Sequence, residues 1–428
     1  MRMLIKNGTV VNPASPELSG KLDILVEDGR ILAMEPGIPE KAVDVDEVLN
    51  VEGLYVSPGF VDVHVHFREP GQTWKEDIVT GAEAAKAGGY TSVVMMANTS
   101  PSIDNVETLK YVLERGRETG IHVYSCANIT KGMEGEELVD MDALVSAGAI
   151  GFSDDGKPIL NEEIVVKAME KAFELGVPLS FHEEDPRFIG NSGFNEGEAS
   201  EYFEVAGADR RAEYTMIDRD AEIAMLIGTQ IDIQHISTEE GVEAIRKCRD
   251  NGNINIHAQA TPHHFSMTEQ DAIKYESLAK MNPPLRTEAD RLAIIKGLKD
   301  GTIEMIATDH APHSMEEKNR GLLGSPSGII GLETAFGLGI TKLVKPGYLT
   351  LEELVERMTL GPASVYRLEA GELWLGGPAD FAIFDIDEEW VVPERFFSKS
   401  ANSPFIGWEL TGKVKYTICG GDVVFSDV

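Results

Sequence analysis

Two histidines one residue apart, His64 and His66, close an apolar run that begins at Leu54. The stretch 55–65 reads Y-V-S-P-G-F-V-D-V-H-V, rich in β-branched and aromatic residues. In a strand, residues i and i+2 project to the same face. The two imidazoles therefore leave the chain together, with Val63 and Val65 on the other side. Paired imidazoles at a strand's end make half of a metal site, although the same spacing also describes an ordinary surface pair. Where the other candidate donors fall decides between the two. Asp154 and Asp155, His182, His235 and Asp309 close further apolar runs, as do Asn98 and Asn128.

Those runs are expected to be strands: 56–67, 90–98, 121–128, 149–154, 177–182, 231–236, 254–260 and 303–309. Amphipathic patterns at 106–118, 162–175, 239–249 and 288–298 predict helices between them. Thr287 with Asp290, and Thr350 with Glu353, read as capped helix starts, while Gly88-Gly89 and Gly176 read as stops. Near-continuous apolar strands alternating with helices indicate parallel βα units. Eight units predict a (β/α)8 TIM-type barrel, with a doubly wound open sheet as the alternative. A barrel gathers all its strand C-termini at one mouth, whereas an open sheet would hold the first and eighth strands far apart. Four histidines and one or two carboxylates at one mouth are the ligand types of a transition-metal centre. Short β patterns at 3–11, 23–34, 48–54, 380–384 and 414–426 predict a small β-sandwich built from both chain ends. The expected division is 1–55 and 366–428 for the small domain and 56–365 for the barrel.

The chain has 428 residues and a formal charge of −34, from 38 basic and 72 acidic side chains. That balance argues against a nucleic-acid binder, because phosphate contacts need basic surface. It does not exclude an anionic substrate, since a buried site sets its own field. Cys126, Cys248 and Cys419 have no paired spacing, which suggests free thiols in a reducing cytosol. The chain opens directly on a strand pattern, so no signal peptide is expected. No apolar run approaches the ~20 residues of a membrane span.

Longer motifs carry a resemblance. F-V-D-V-H-V-H-F-R-E-P-G (60–71), M-M-A-N-T (95–99), F-S-D-D-G (152–156), F-H-E-E (181–184), Q-H-I-S-T (234–238), T-P-H-H (261–264), M-N-P-P-L-R (281–286), A-T-D-H-A-P-H (307–313) and G-L-E-T-A-F (331–336) span the chain. It resembles the amidohydrolase superfamily and, within it, the class I dihydroorotases. H-x-H alone points only to the superfamily; H-F-R-E-P-G, N-P-P-L-R and D-H-A-P-H together are more specific.

The resemblance implies a metal-dependent cyclic amide hydrolase that interconverts N-carbamoyl-L-aspartate and L-dihydroorotate in pyrimidine synthesis. It implies one or two Zn2+ ions per subunit, a cytoplasmic homodimer and an association with aspartate carbamoyltransferase. His64 and His66 would hold one metal, and His182 and His235 a second. Asp155 would bridge them, where many relatives use a carboxylated lysine; Asp154 would point to the other face, and Lys157 lies in the turn beyond the strand. Asp309 would coordinate the first metal and move a proton. Arg68, Asn98, Asn282 and His313 would hold the substrate, beside His66, Ser327 and Gly328. Of the other histidines, His122 starts a strand at the end away from the mouth and His257 is expected to pack. His263, His264 and His310 are expected to support ligands. Members of this class usually carry Pro-Phe-Gly before the G-[L/F]-E-T segment, where this chain has Pro326-Ser327-Gly328. That departure keeps a hydantoinase or allantoinase open as the alternative. A non-catalytic subunit should have lost ligands, and all are present. The glycine-rich segment 310–328 reads either as a closing lid or as a fixed loop.

Overall fold

The computed structural model describes residues 1–190, 193–252 and 254–427; residue 428, the last of the expected C-terminal piece, lies outside them. Through the middle of the chain, parallel strands alternate with helices. One sheet holds Phe60–Val65, Tyr90–Met95 and His122–Ser125; another holds Leu179–Phe181, Ile231–Ile233, Ile256–Ala260 and Met305–Ile306. Every neighbouring pair in both sheets is parallel. The expected strand at 149–154 forms no ladder of its own. Phe152 alone bridges Ala127 on one side and Leu179 on the other. Gly148 (φ +114°) ends the preceding helix Met141–Ala147, and Asp154 is held by the amides of Ile129 and Thr130. The extended stretch between them is therefore short. Across the other gap, Val65 bridges His310, whose carbonyl accepts from the His66 amide at 2.9 Å.

The predicted helices are present, one with both ends as expected and three with the C-terminal end moved by one or two residues: Val106–Gly116, Glu162–Leu175, Glu239–Asp250 and Glu288–Asp300. Thr287 and Asp290 exchange side chain and backbone bonds in a capping box, as do Thr350 and Glu353. Gly176 ends its helix at φ +69°. The helices Glu198–Phe203 and Arg211–Ile227, after the His182 strand, had no sequence expectation.

Strands from both chain ends meet in one sheet. Arg2–Val10 pairs antiparallel with Gly20–Glu27. On its other side it pairs first with Glu47–Asn50 and then with Tyr55–Pro58, both parallel, so the sheet forks there. Tyr55–Pro58 then pairs antiparallel with Phe381–Val391, which leads through Glu409–Cys419 to Asp422–Ser426. Phe384 of this sheet packs on Phe60 and on Phe336 of the helix Ala335–Gly339, with ring centroids 5.9 and 4.4 Å apart. All three rings are buried. Burying each contributes ~1.5–3 kcal/mol, so this seam fixes the terminal sheet against the strands that carry the site.

Candidate metal and substrate site

The candidate histidines and Asp309 lie at or just beyond the C-terminal ends of parallel strands, and Asp155 follows the bridging residue Phe152 by three. His64 and His66 close Phe60–Val65, His182 follows Phe181, His235 follows Ile233, and Asp309 follows Ile306. The donor atoms of His64, His66 and Asp155 lie within 4.8 Å of one another, and so do those of Asp155, His182 and His235. Asp155 belongs to both groups. Asp154 turns away, its carboxylate accepting from the backbone of Ile129 and Thr130 and from the Thr130 hydroxyl. Lys157 is exposed in the following turn.

The outer nitrogen of three of these imidazoles faces a built acceptor. His64 Nδ1 lies 3.1 Å from Gln259 Oε1, and the Gln259 amide is oriented by donating its Nε2 to buried Asp232. His66 Nδ1 lies 3.0 Å from Asn98 Oδ1, and Asn98 Nδ2 donates to Asp155 Oδ2 at 2.9 Å. His182 Nε2 lies 2.9 Å from Glu184 Oε2. These partners assign the proton to the outer nitrogen and leave a lone pair on the inner one. The inner nitrogens face carboxylates. His64 Nε2 lies 3.5 Å from both Asp155 Oδ1 and Asp309 Oδ1, His66 Nε2 lies 2.9 Å from Asp309 Oδ1, and His182 Nδ1 lies 3.4 Å from Asp155 Oδ1.

Lone pairs confronting carboxylates in a buried cluster require a positive charge between them. In the protein alone, only protons can supply it. Burial works against charge on His64 and His182, yet Asp155, with Asp309 and Glu184 respectively, raises them to about 9 and about 10. His235 is held well below its ordinary value by burial and by its neighbours His182 and His64. His64 Nε2, His182 Nδ1 and His235 Nδ1 are buried without a hydrogen-bond partner. Outer protons fixed by acceptors, inner nitrogens without partners and a shared carboxylate fit a divalent transition metal. Two of the residues are also bent into left-handed backbone, His235 at φ +29° and Asp309 at φ +49°. Such conformations cost ~1–3 kcal/mol in non-glycine residues and persist where the surroundings impose them.

A cavity of about 240 Å³ opens over the cluster. Each residue expected to meet substrate lines it: His66, Arg68, Asn98, Asn282, His313, Ser327 and Gly328. Burial lowers Arg68 to about 10, so it stays charged at neutral pH. It is steered by the Pro312 carbonyl, 3.2 Å from Nε. His313 Nε2 donates to the Ser327 carbonyl at 2.8 Å, and Lys75 Nζ approaches its Nδ1 at 3.4 Å. Burial, with Arg68 and Lys75 alongside, keeps this ring neutral. Asn282 Oδ1 is buried without a partner. Gly328 sits at φ +114°, where a Cβ would meet Ala311 Cβ at 2.7 Å, so only glycine fits there.

Sequence reasoning missed the residues that hold this arrangement. Gln259, Asp232 and Glu184 orient imidazoles. Asn402, from the C-terminal part of the chain, accepts from the His313 amide at 3.0 Å and donates to the carbonyls of Ala311 and Gly328. Two buried lysines tie the segment 310–328 to its present course. Lys280 Nζ donates to Leu322, Leu323 and Ser325 carbonyls, and Lys318 Nζ to those of Pro326 and Gly328. His263 and His264 are buried near the mouth, and His264 bridges the Thr261 hydroxyl and the Pro283 carbonyl. His310 accepts from the Gly331 amide, and His257 pairs with Glu304.

A sequence profile of the Amidohydrolase family matches residues 55–424. The dihydroorotase of Clostridium acetobutylicum is 50% identical over 427 residues, covering 99% of this chain and 100% of that protein. The dihydroorotase of Streptococcus pneumoniae serotype 4 is 51% identical over 424 residues, 99% of each chain. Among solved structures, the L-hydantoinase (dihydropyrimidinase) from Arthrobacter aurescens superposes with a TM-score of 0.87 at 24% identity, covering 98% of this chain and 95% of that one. At that identity the likeness speaks to the fold alone.

Proposed function

The chain belongs to the amidohydrolase family, among its dihydroorotases, and from that premise we propose that it catalyses the reversible cyclisation of N-carbamoyl-L-aspartate to L-dihydroorotate at the His64–Asp155–His182 cluster. The observation that carries the reading is the pairing of that cluster with Arg68. A half-buried, charged guanidinium in the wall of the same cavity suits a substrate that carries a carboxylate on its ring. A hydantoin or dihydrouracil ring has no such group.

In this reading the two parallel sheets and the Phe152 and His310 bridges make one closed (β/α)8 barrel, over about 56–365. The terminal strands, 1–55 and 366–428, form a small sandwich beside it. The metal is zinc, one or two ions per subunit, and the setting is cytoplasmic pyrimidine synthesis. His64 and His66 would hold one ion and His182 and His235 the other, with Asp155 between them and Asp309 on the first. The metal supplies Lewis acidity, which acidifies water and polarises an amide carbonyl. In ring opening, water oxygen adds to the ring amide carbon and the ring C–N bond breaks. Asp309 Oδ carries the water's proton to the departing nitrogen, and the reverse path closes the ring. Arg68 clamps the ring carboxylate, steered by Pro312. Asn98, Asn282 and the neutral His313 hold the rest of the ring, and Ser327 and Gly328 close the wall beside it. Asn98 also ties His66 to Asp155, so substrate contact and ligand geometry share one side chain.

The test is turnover on dihydroorotate, dihydrouracil, hydantoin and allantoin, with N-carbamoyl-L-aspartate for the reverse direction, using protein of measured metal content. Dihydroorotate should be preferred by at least ~10²-fold. Faster opening of hydantoin or dihydrouracil would overturn the substrate assignment and leave the metal site standing.

A further inference from the structure

A second group of metal-type donors lies at the other ends of the strands. His122 opens His122–Ser125, Asp380 immediately precedes Phe381–Val391, and Cys419 closes Glu409–Cys419. One donor atom from each lies within 4.8 Å of the others. His122 Nε2 is 2.9 Å from Asp380 Oδ2. Asp380 Oδ1 accepts from the Gly420 amide at 2.6 Å, which fixes how the carboxylate is turned. Asp380 and Cys419 are buried, while the His122 side chain is 42% exposed. His122 and Cys419 line a cavity of about 370 Å³, together with Arg117, Tyr124 and Gly420. An ion pair between His122 and Asp380 would account for two of the three groups. The third, the buried Cys419 thiol, reaches the Thr91 carbonyl at 3.9 Å and lies against the same Asp380 carboxylate.

We propose that His122, Asp380 and Cys419 form a separate binding site for a thiophilic divalent cation of zinc's class. A sulfur, a nitrogen and an oxygen donor favour such ions over magnesium or calcium, and the bordering cavity leaves room for water as a fourth ligand. Burial keeps the Cys419 thiol protonated in the free protein, so binding releases that proton to solvent. The thiolate and the Asp380 carboxylate then balance the ion's two charges, and the His122 lone pair completes the protein's share. The ion would join a parallel strand to two strands of the terminal sheet, far along the chain from one another.

Cadmium titration of the metal-loaded enzyme tests this, read at the sulfur-to-cadmium charge-transfer absorption. The His64–Asp155–His182 cluster contains no sulfur, so the band cannot arise there, and the cysteine variants assign it among the three free thiols. The band should saturate at one cadmium per chain, vanish in Cys419→Ser and persist in Cys248→Ser. His122→Ala, which removes a half-exposed ring, should need at least ~10-fold more cadmium. Dihydroorotate turnover should be unchanged in Cys419→Ser. Absence of the band in the wild-type protein, its survival in Cys419→Ser, or an unchanged titration in His122→Ala would each overturn the proposal. Should Cys419→Ser fail to fold, the His122→Ala titration decides.

Discussion

Replacing Asn402 with alanine removes three hydrogen bonds from a fully buried amide, and all three end on the backbone of the substrate wall. The His313 amide loses an acceptor, and the carbonyls of Ala311 and Gly328 each lose a donor. A buried polar group left without a partner costs ~1–3 kcal/mol. Gly328 O keeps its bond to Lys318, and the cavity can admit water, so the lower end applies. The expected destabilisation is ~3 kcal/mol. The functional effect follows from position rather than contact, since His313 and Gly328 both line the cavity. A displacement of ~1 Å in groups that hold substrate lowers turnover by ~10²-fold. Asn402→Asp keeps the acceptor for His313 but turns a carboxylate toward two carbonyls, so it should fare no better. The assays are thermal unfolding and separate kcat and KM measurements on dihydroorotate, with metal content checked. A variant that unfolds earlier but keeps wild-type kcat and KM would refute the positioning argument. Unchanged unfolding would refute the energetic one.

Removal of metal by exhaustive chelation should abolish turnover and lower the unfolding temperature, because the inner nitrogens then face carboxylates with only protons between them; added zinc should restore both, and full activity in metal-free protein would contradict the site. Asp309→Asn should reduce turnover by at least ~10²-fold at matched metal content. Arg68→Met should weaken transition-state binding of dihydroorotate by ~2–4 kcal/mol and leave dihydrouracil far less affected, whereas equal losses would make Arg68 structural. Burial lowers Lys318 to about 7, against ~10.4 in an unfolded chain, so between those values only the unfolded chain holds the proton. Stability from this group therefore rises as pH climbs from about 7 toward 10 and is flat below. Denaturant midpoints at pH 7 and pH 9 should show that gain in the wild type and its loss in Lys318→Met.

Alternation along strands made much of the site legible in the sequence. Period two separates Asp155 from Asp154, and in space one joins the imidazoles while the other returns to Thr130. Repetition of βα units placed each donor at the same end of its strand. The partners that orient those donors were not legible, because they depend on which strands neighbour each other. Gln259 matters only because its strand brings it beside His64, and Asp232 because it faces Gln259 from the next one. Asn402 lies about 90 residues from His313 in a segment with no periodic pattern. Glycine content in 310–328 suggested a permissive backbone, but two lysines outside its glycines determine how it is held. The fourth strand looked long because its residues are apolar, yet hydrogen-bonded turns on both flanks shorten it to one bridging residue.

The sheet shared by the two chain ends has a consequence for how the protein is made. Tyr55–Pro58 leaves the ribosome early, and its antiparallel partner Phe381–Val391 follows about 320 residues later. At ~5–20 residues per second that is a wait of roughly 15–60 s. Throughout it, one side of Tyr55–Pro58 is an open edge in a nascent chain, the kind of surface on which other strands add. That edge, with the backbone groups of Tyr55 and Ser57 facing outward, closes only when Phe381–Val391 arrives and pairs with it.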